Sequence, residues 1–269
     1  MWPGWPGERR RASHIAYSSP AFPRVILAAL LGKAAGYPMR DHEIEAAWRG
    51  LASCEQCSIR DLVLFADLKG EDFGVIHLPI EDIRLPAGAA LYQPGQEAGH
   101  AFTVREGLFK LEQYLPDGSH RIVSLLGQGD VAGLEATVAD AYEHAAVALS
   151  PAKVCRIPRE VLTRLSPKLH RQLMKKWHDA VQRSHECTRE LSTGSARQRV
   201  ARLFRLLAPE TSPDCRLFGR EDLGALLGIT PETASRVVAE FKRLGVVTEI
   251  APNLFQRDLA ALDGIAGEG

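Results

Sequence analysis

The chain has no apolar run long enough to cross a membrane. Its longest early stretch, Val25 to Leu31, is only about seven residues and Lys33 follows it, whereas a span needs roughly 20. Arg9, Arg10 and Arg11 precede that stretch without completing a secretory signal peptide. The expectation is a soluble, cytoplasmic protein with no membrane partner. Neither sign of charge prevails: Lys+Arg and Asp+Glu both number 33, for a formal net charge of zero. Any surface for nucleic acid must therefore be local. Cysteine is scarce, and its odd count of 5 (Cys54, Cys57, Cys155, Cys187 and Cys215) is scattered, which is not a secreted disulfide framework. The chain carries no Walker loop, no Gly-x-Ser-x-Gly elbow, no His-Glu-x-x-His pair and no dinucleotide fingerprint. The Cys54-x-x-Cys57 pair would suit a thioredoxin-like oxidoreductase only in a βαβ context, and it precedes β-rich sequence instead. No enzymatic activity is expected.

What is present is ordinary globular material, 45% hydrophobic and 25% charged over 269 residues, enough for a real core. The first 38 or so residues stand apart. Trp2-Pro3-Gly4-Trp5-Pro6-Gly7 has no helical or strand period, a short helix fits Arg24 to Ala35, and Met39 is a candidate alternative start. From Pro86 to Cys155 the turns recur about every ten residues. Pro86-Ala87-Gly88, Pro94-Gly95, Glu106-Gly107, Pro116-Asp117-Gly118 and Gly127-Gln128-Gly129-Asp130 separate the short runs Ala101–Val104, Phe109–Leu111 and Arg121–Leu126, with more strand material from Ala145 to Ile157. Evenly spaced short strands predict a β-sandwich or barrel.

After Pro158 the period turns helical. Ser166 as N-cap and Pro167 at N1 open a long helix with Leu169, Leu173, Trp177 and Val181 four residues apart, running to about Leu191. Its stripe suits packing on its own β-domain or pairing with a second copy. Ser192-Thr193-Gly194-Ser195 breaks it. A second amphipathic helix follows on Val200, Leu203, Phe204 and Leu207, and Pro209 to Asp214 reads as a loop.

Residues 219–256 carry the most specific pattern. A short helix, Arg220 to Leu227, ends at Gly228-Ile229-Thr230, where the glycine suits a left-handed C-cap. Thr230 is a natural N-cap and Pro231 a natural N1 for the next helix, which runs to about Arg243 before Gly245 ends it. Ala234, Val237, Val238 and Phe241 form its core stripe. Glu232, Ser235 and Arg236 lie opposite, near its N-terminus. Val246–Ile250, a turn at Ala251-Pro252-Asn253, and Leu254–Gln256 predict a hairpin wing. In a winged helix-turn-helix the second helix enters the major groove. There Arg236 can donate twice to guanine, Glu232 can accept from cytosine and Ser235 can reach bases or phosphate, with Thr230 and Thr233 beside them. Residues 195–257 hold ten Lys/Arg against seven Asp/Glu, a local excess of the right sign. An ordinary pair of packed helices remains the plainer reading.

These residues resemble the CRP/FNR superfamily of bacterial transcription regulators. Leu226 and Gly228 to Arg236 are close to its recognition-helix signature, Gly127 to Gly133 to the glycine-rich turn of its β-roll, and Val154-Cys155-Arg156-Ile157-Pro158 to the strand leaving that roll. The likeness runs in motif order from about residue 50 to 262. It implies an α+β fold with a cyclic-nucleotide-binding-type β-roll, a long dimerisation helix and a C-terminal winged helix-turn-helix. The division is then an N-terminal extension (1–50), the roll (51–165), the dimerisation helix (166–192) and the DNA-binding domain (193–269). It further implies a homodimer on double-stranded DNA with TTGA-like inverted repeats, and RNA polymerase as a partner.

The resemblance argues against cyclic AMP as the signal. Nucleotide-binding members pair a Gly-Glu-Leu turn with an Arg-Ser phosphate anchor, but this chain reads Gly133-Leu134-Glu135 and about His144-Ala145. Cys54-Glu55-Gln56-Cys57-Ser58-Ile59 is similar to the cysteine-rich N-terminus of oxygen-sensing members, and Cys155 falls at their distant ligand. The resemblance thus implies a [4Fe–4S] cluster responsive to oxygen or nitric oxide. Val63 stands where a third N-terminal cysteine is expected, leaving Asp61 as the oxygen donor nearby. A thiol–disulfide switch on the same cysteines, cysteines with only a structural role, and haem on His77, His100, His120 or His144 remain open beside it. So does a β-roll that serves only as a ligand-binding module.

Overall fold

The computed structural model describes residues 80–163, 167–208 and 211–267. The segments read at Arg24–Ala35 and Met39, and the candidate ligands Cys54, Cys57 and Asp61, lie outside the described residues.

Eight short strands come first: β1 (Glu81–Leu85), β2 (Ala90–Tyr92), β3 (His100–Glu106), β4 (Phe109–Tyr114), β5 (His120–Leu126), β6 (Val131–Ala132), β7 (Ala145–Ala148) and β8 (Ala152–Pro158). They form two antiparallel sheets, ordered β1-β8-β3-β6 and β2-β7-β4-β5. The turn chemistry sits where the sequence puts it. At Pro116-Asp117-Gly118, for example, Asp117 Oδ1 accepts from Ser119 N at 2.9 Å and from Ser119 Oγ at 2.6 Å, an Asx-type closure. Between the sheets Tyr92, Phe102, Val104, Phe109, Leu126, Tyr142 and Val154 are buried together. The strand material from Ala145 to Ile157 is two strands, broken at Leu149–Pro151.

Helix α1 (Arg159–Thr163) leads to α2 (Pro167–Leu191), 25 residues long. Leu173, Trp177 and Ala180 of α2 pack on Ala101, Val131, Ile157 and Val161, so one face of the long helix covers its own roll. A polar tie joins the two. Arg183 Nη1 lies 2.8 Å from Asp130 Oδ1, both side chains under a tenth exposed. Asp130 Oδ2 accepts from Gly127 N at 2.8 Å, and Lys176 Nζ donates to Gly129 O at 2.8 Å. The glycine-rich turn is thereby fastened to the helix. Met174 and Val181, a quarter-turn round α2 from the buried stripe, stay about half exposed.

The C-terminal part opens with α3 (Ala196–Leu206), capped by a reciprocal Ser195–Gln198 box. There follow β9 (Asp214–Arg216), α4 (Arg220–Leu227), α5 (Pro231–Arg243), β10 (Val247–Ala251), β11 (Leu254–Arg257) and α6 (Leu259–Gly267). The stretch read as a loop to Asp214 turns into β9 at that residue. The wing is accordingly a three-stranded sheet, ordered β10-β11-β9. Phe204, Phe241, Phe255, Leu223 and Leu262 centre this core. No helix among the described residues is long and apolar enough to cross a membrane.

Candidate nucleic-acid interface

Helices α4 and α5 meet across a turn that only glycine suits. Gly228 takes φ 64°, left-handed. Gly224, inside α4, lies so close to the turn that a Cβ there would stand 2.6 Å from Ile229 O. A glycine in a helix interior costs stability, so its presence signals this close approach, a signal the leucine-based reading passed over.

Thr230 caps α5 in extended geometry and its Oγ1 accepts from Thr233 N at 3.2 Å, with Pro231 at the first turn. Ala234, Val237, Val238 and Phe241 are buried. Glu232, Ser235 and Arg236 are exposed on the opposite face, with Thr230 exposed and Thr233 half-buried beside them. The five residues singled out from sequence thus share one end of one helix. Arg236 Nη2 donates to Thr233 Oγ1 at 3.4 Å. The Glu232 carboxyl is held below the usual glutamate range by its own backbone N–H and by the Thr230 hydroxyl, so it is an ionised acceptor at neutral pH.

Two cations that the sequence reading did not single out meet Glu249 of the wing. Lys242, in the last turn of α5, lies 2.6 Å from Glu249 Oε2 on the wing, and Glu249 Oε1 accepts from Asn253 N at 3.3 Å. Glu249 therefore ties the wing turn, where Asn253 has φ 58°, to the helix. Arg220 opens α4, and burial draws its guanidinium below the ordinary arginine range while Glu249 opposes this. Nothing in their spacing marks either one. Their position shows only once wing and helix are folded together.

On the roll, Cys155 sits in β8 opposite Asp82, with its Sγ 3.4 Å from Asp82 Oδ1, and it is half-buried against the apolar cluster that Trp177 of α2 also packs on. The Gly133-Leu134-Glu135 turn packs on Tyr142 and Tyr92, whose rings stack 3.8 Å apart. Ala145 is fully buried. Among the described residues one group of metal-ligating side chains converges, Glu112, His120 and Asp222, at the junction of roll and α4.

Residues 82–167 match the cyclic nucleotide-binding domain family, and residues 198–265 match the Crp-like helix-turn-helix domain family. The chain is 29% identical over 229 residues to the fumarate and nitrate reduction regulatory protein of Vibrio cholerae, covering 80% of this chain and 92% of that one. It is 29% identical over 227 residues to the transcriptional activator protein anr of Pseudomonas aeruginosa, covering 80% and 93%. A CRP-family transcriptional regulator of Thermus thermophilus superposes with a TM-score of 0.62 at 26% identity, over 70% of this chain and 97% of that one. The fold is shared with FixK2 of Bradyrhizobium japonicum, at a TM-score of 0.62 and 22% identity over 71% and 100% of the two chains.

Proposed function

The chain belongs to the CRP/FNR superfamily of transcription regulators, on its FNR-like branch, and from this premise we propose that it binds an inverted-repeat operator as a homodimer and reads each half-site with Glu232, Ser235 and Arg236. The observation that carries this is the exposed Glu232–Ser235–Arg236 face at the capped end of α5, backed by a fully apolar opposite face. Arg236 donates to guanine O6 and N7, Glu232 accepts from cytosine N4, and Ser235 reaches bases or phosphate. Thr230 and Thr233 hold the register beside them. Arg220 and Lys242 meet phosphates, which fix position without reading sequence. The second copy comes through α2, placing two recognition helices about one helical turn of DNA apart. At a promoter the bound dimer contacts RNA polymerase.

Fluorescence anisotropy with a TTGA-type palindrome tests the assignment. Arg236→Ala is expected to weaken specific binding about tenfold to a hundredfold, the worth of one bidentate base contact, while non-specific binding stays nearly unchanged. Equal binding by variant and wild type sinks the base-reading role.

The relatives include, by name, a fumarate and nitrate reduction regulatory protein and an anaerobic regulatory protein, which favours a redox signal over a cyclic nucleotide. The tyrosine-packed Gly133 turn and the buried Ala145 agree, since neither offers an arginine for a cyclic phosphate. Cys155 fits a thiolate ligand: it forms no disulfide among the described residues and is only half-buried. With Cys54, Cys57 and Asp61 it would hold a [4Fe–4S] cluster, which when bound supplies an oxygen- or nitric-oxide-labile group. This chain's own part is mechanical. Cys155 and Trp177 of α2 pack against the same apolar cluster, so a change at the thiol would bear on the contact between roll and long helix.

A further inference from the structure

The β4–β5 hairpin of the roll meets α4 over a compact charge cluster away from the base-reading face. Lys110 Nζ lies 2.6 Å from Glu112 Oε2 and 2.7 Å from Asp222 Oδ1, and the three side chains are largely buried. His120 Nε2 lies 4.0 Å from Glu112 Oε2 and 3.9 Å from Asp222 Oδ1 and, although buried, makes no hydrogen bond. Around the cluster, Leu108, Ile122 and Leu125 of the roll share one apolar core with the helix-turn-helix domain. Arg121 lies against the α4–α5 turn, where a Cβ on Gly228 would stand 2.6 Å from its Nη1.

The ligating atoms of Glu112, His120 and Asp222 lie within 4.8 Å of one another, as a metal would require. The Lys110 ammonium, however, already bridges the two carboxylates, and a second cation would have to expel it. Burial works to lower Lys110, but its bonds to Asp222 and Glu112 outweigh this and hold it above the ordinary lysine range.

We infer that Lys110, Glu112 and Asp222 are positioning residues that fix the angle of the helix-turn-helix domain on the roll. Asp222 sits in α4, one glycine turn before the recognition helix. The cluster therefore acts on Arg236 through α4 and touches no DNA.

Scanning calorimetry of the full chain reads docking without DNA, since docked domains melt together and released ones separately. Wild type is expected to give one transition, and Asp222→Asn two. The DNA consequence, which rests on the base-reading assignment, is read by anisotropy. Asp222→Asn and Lys110→Met should each weaken palindrome binding about five- to tenfold, the range of a modest coupling between sites, and Asp222→Glu should restore most of it. One transition in both variants, with binding within about twofold of wild type, overturns the positioning role. Zn²⁺ that raises wild-type Tm but not that of His120→Gln overturns the ammonium-filled cluster in favour of a metal. Failure of wild type to bind any such palindrome overturns the base-reading assignment instead, and the calorimetric outcome still decides the junction.

Discussion

Burial pushes the Cys187 thiol up to about 11 and the Cys215 thiol up to about 12. At neutral pH fewer than about one in a thousand such thiols is ionised, and the thiolate is the metal ligand and the nucleophile. Both are therefore poor nucleophiles and poor candidates for ligands. Cys155 differs by place and not by chemistry, since its sulfur lies at a carboxylate and is only half-buried. The prediction is specific. Protein purified without air should be brown, with a broad visible band, iron and acid-labile sulfide, all bleached by air. Cys155→Ser should lose the colour and Cys187→Ser should keep it. Colourless anaerobic protein lacking iron and sulfide removes the cluster, and equal colour in the two variants removes Cys155 from its ligands. Residue-scale legibility was uneven for a physical reason. Glu232, Ser235 and Arg236 could be read because a helix puts near neighbours in sequence on one face. The Arg183–Asp130 pair could not, because its partners are 53 residues apart and nothing local links them.

At the scale of the element, most strands and helices announce themselves by caps, turns and period. Ser195 opens α3, Thr230 opens α5, and Gly245 at φ 72° closes it. β9 did not, because three residues are too few to show alternation and its strand character comes from pairing with β11. Nor did the role of Arg257. Its Nη1 donates to Phe204 O at 2.7 Å and Arg205 O at 3.0 Å, and its Nη2 to Ala208 O and Ser212 O, both at 2.9 Å. A buried guanidinium thus satisfies the open carbonyls at the end of α3, where the helix dipole also favours a cation. Arg257→Leu strands several buried acceptors at once, and each costs about 1–3 kcal/mol. The urea midpoint of the C-terminal domain should fall by an amount worth about 3 kcal/mol or more. A midpoint unchanged within error would show that water replaces the guanidinium freely.

At the scale of the whole molecule, the proposed dimer asks the long helix to serve two bodies with one sequence. Its period alone fits packing on the roll or pairing with a copy equally well, because both use a stripe every three to four residues. Folding separates the two uses. Leu173, Trp177 and Ala180 face the roll. Met174 and Val181, seven apart and so on one face, remain 47% and 45% exposed. The exposed stripe is the face available to a second copy of α2. Val181→Glu puts a charge on that face without touching the roll-facing stripe. The variant should keep the wild-type circular dichroism and yet sediment as a monomer, and lose palindrome binding by about tenfold or more, since the second half-site no longer arrives already attached. A dimer by sedimentation with full palindrome affinity would move the two-fold axis off α2. The Arg183–Asp130 tie between helix and roll would then have to transmit its strain within one protomer, and the spacing of the two recognition helices would need another origin.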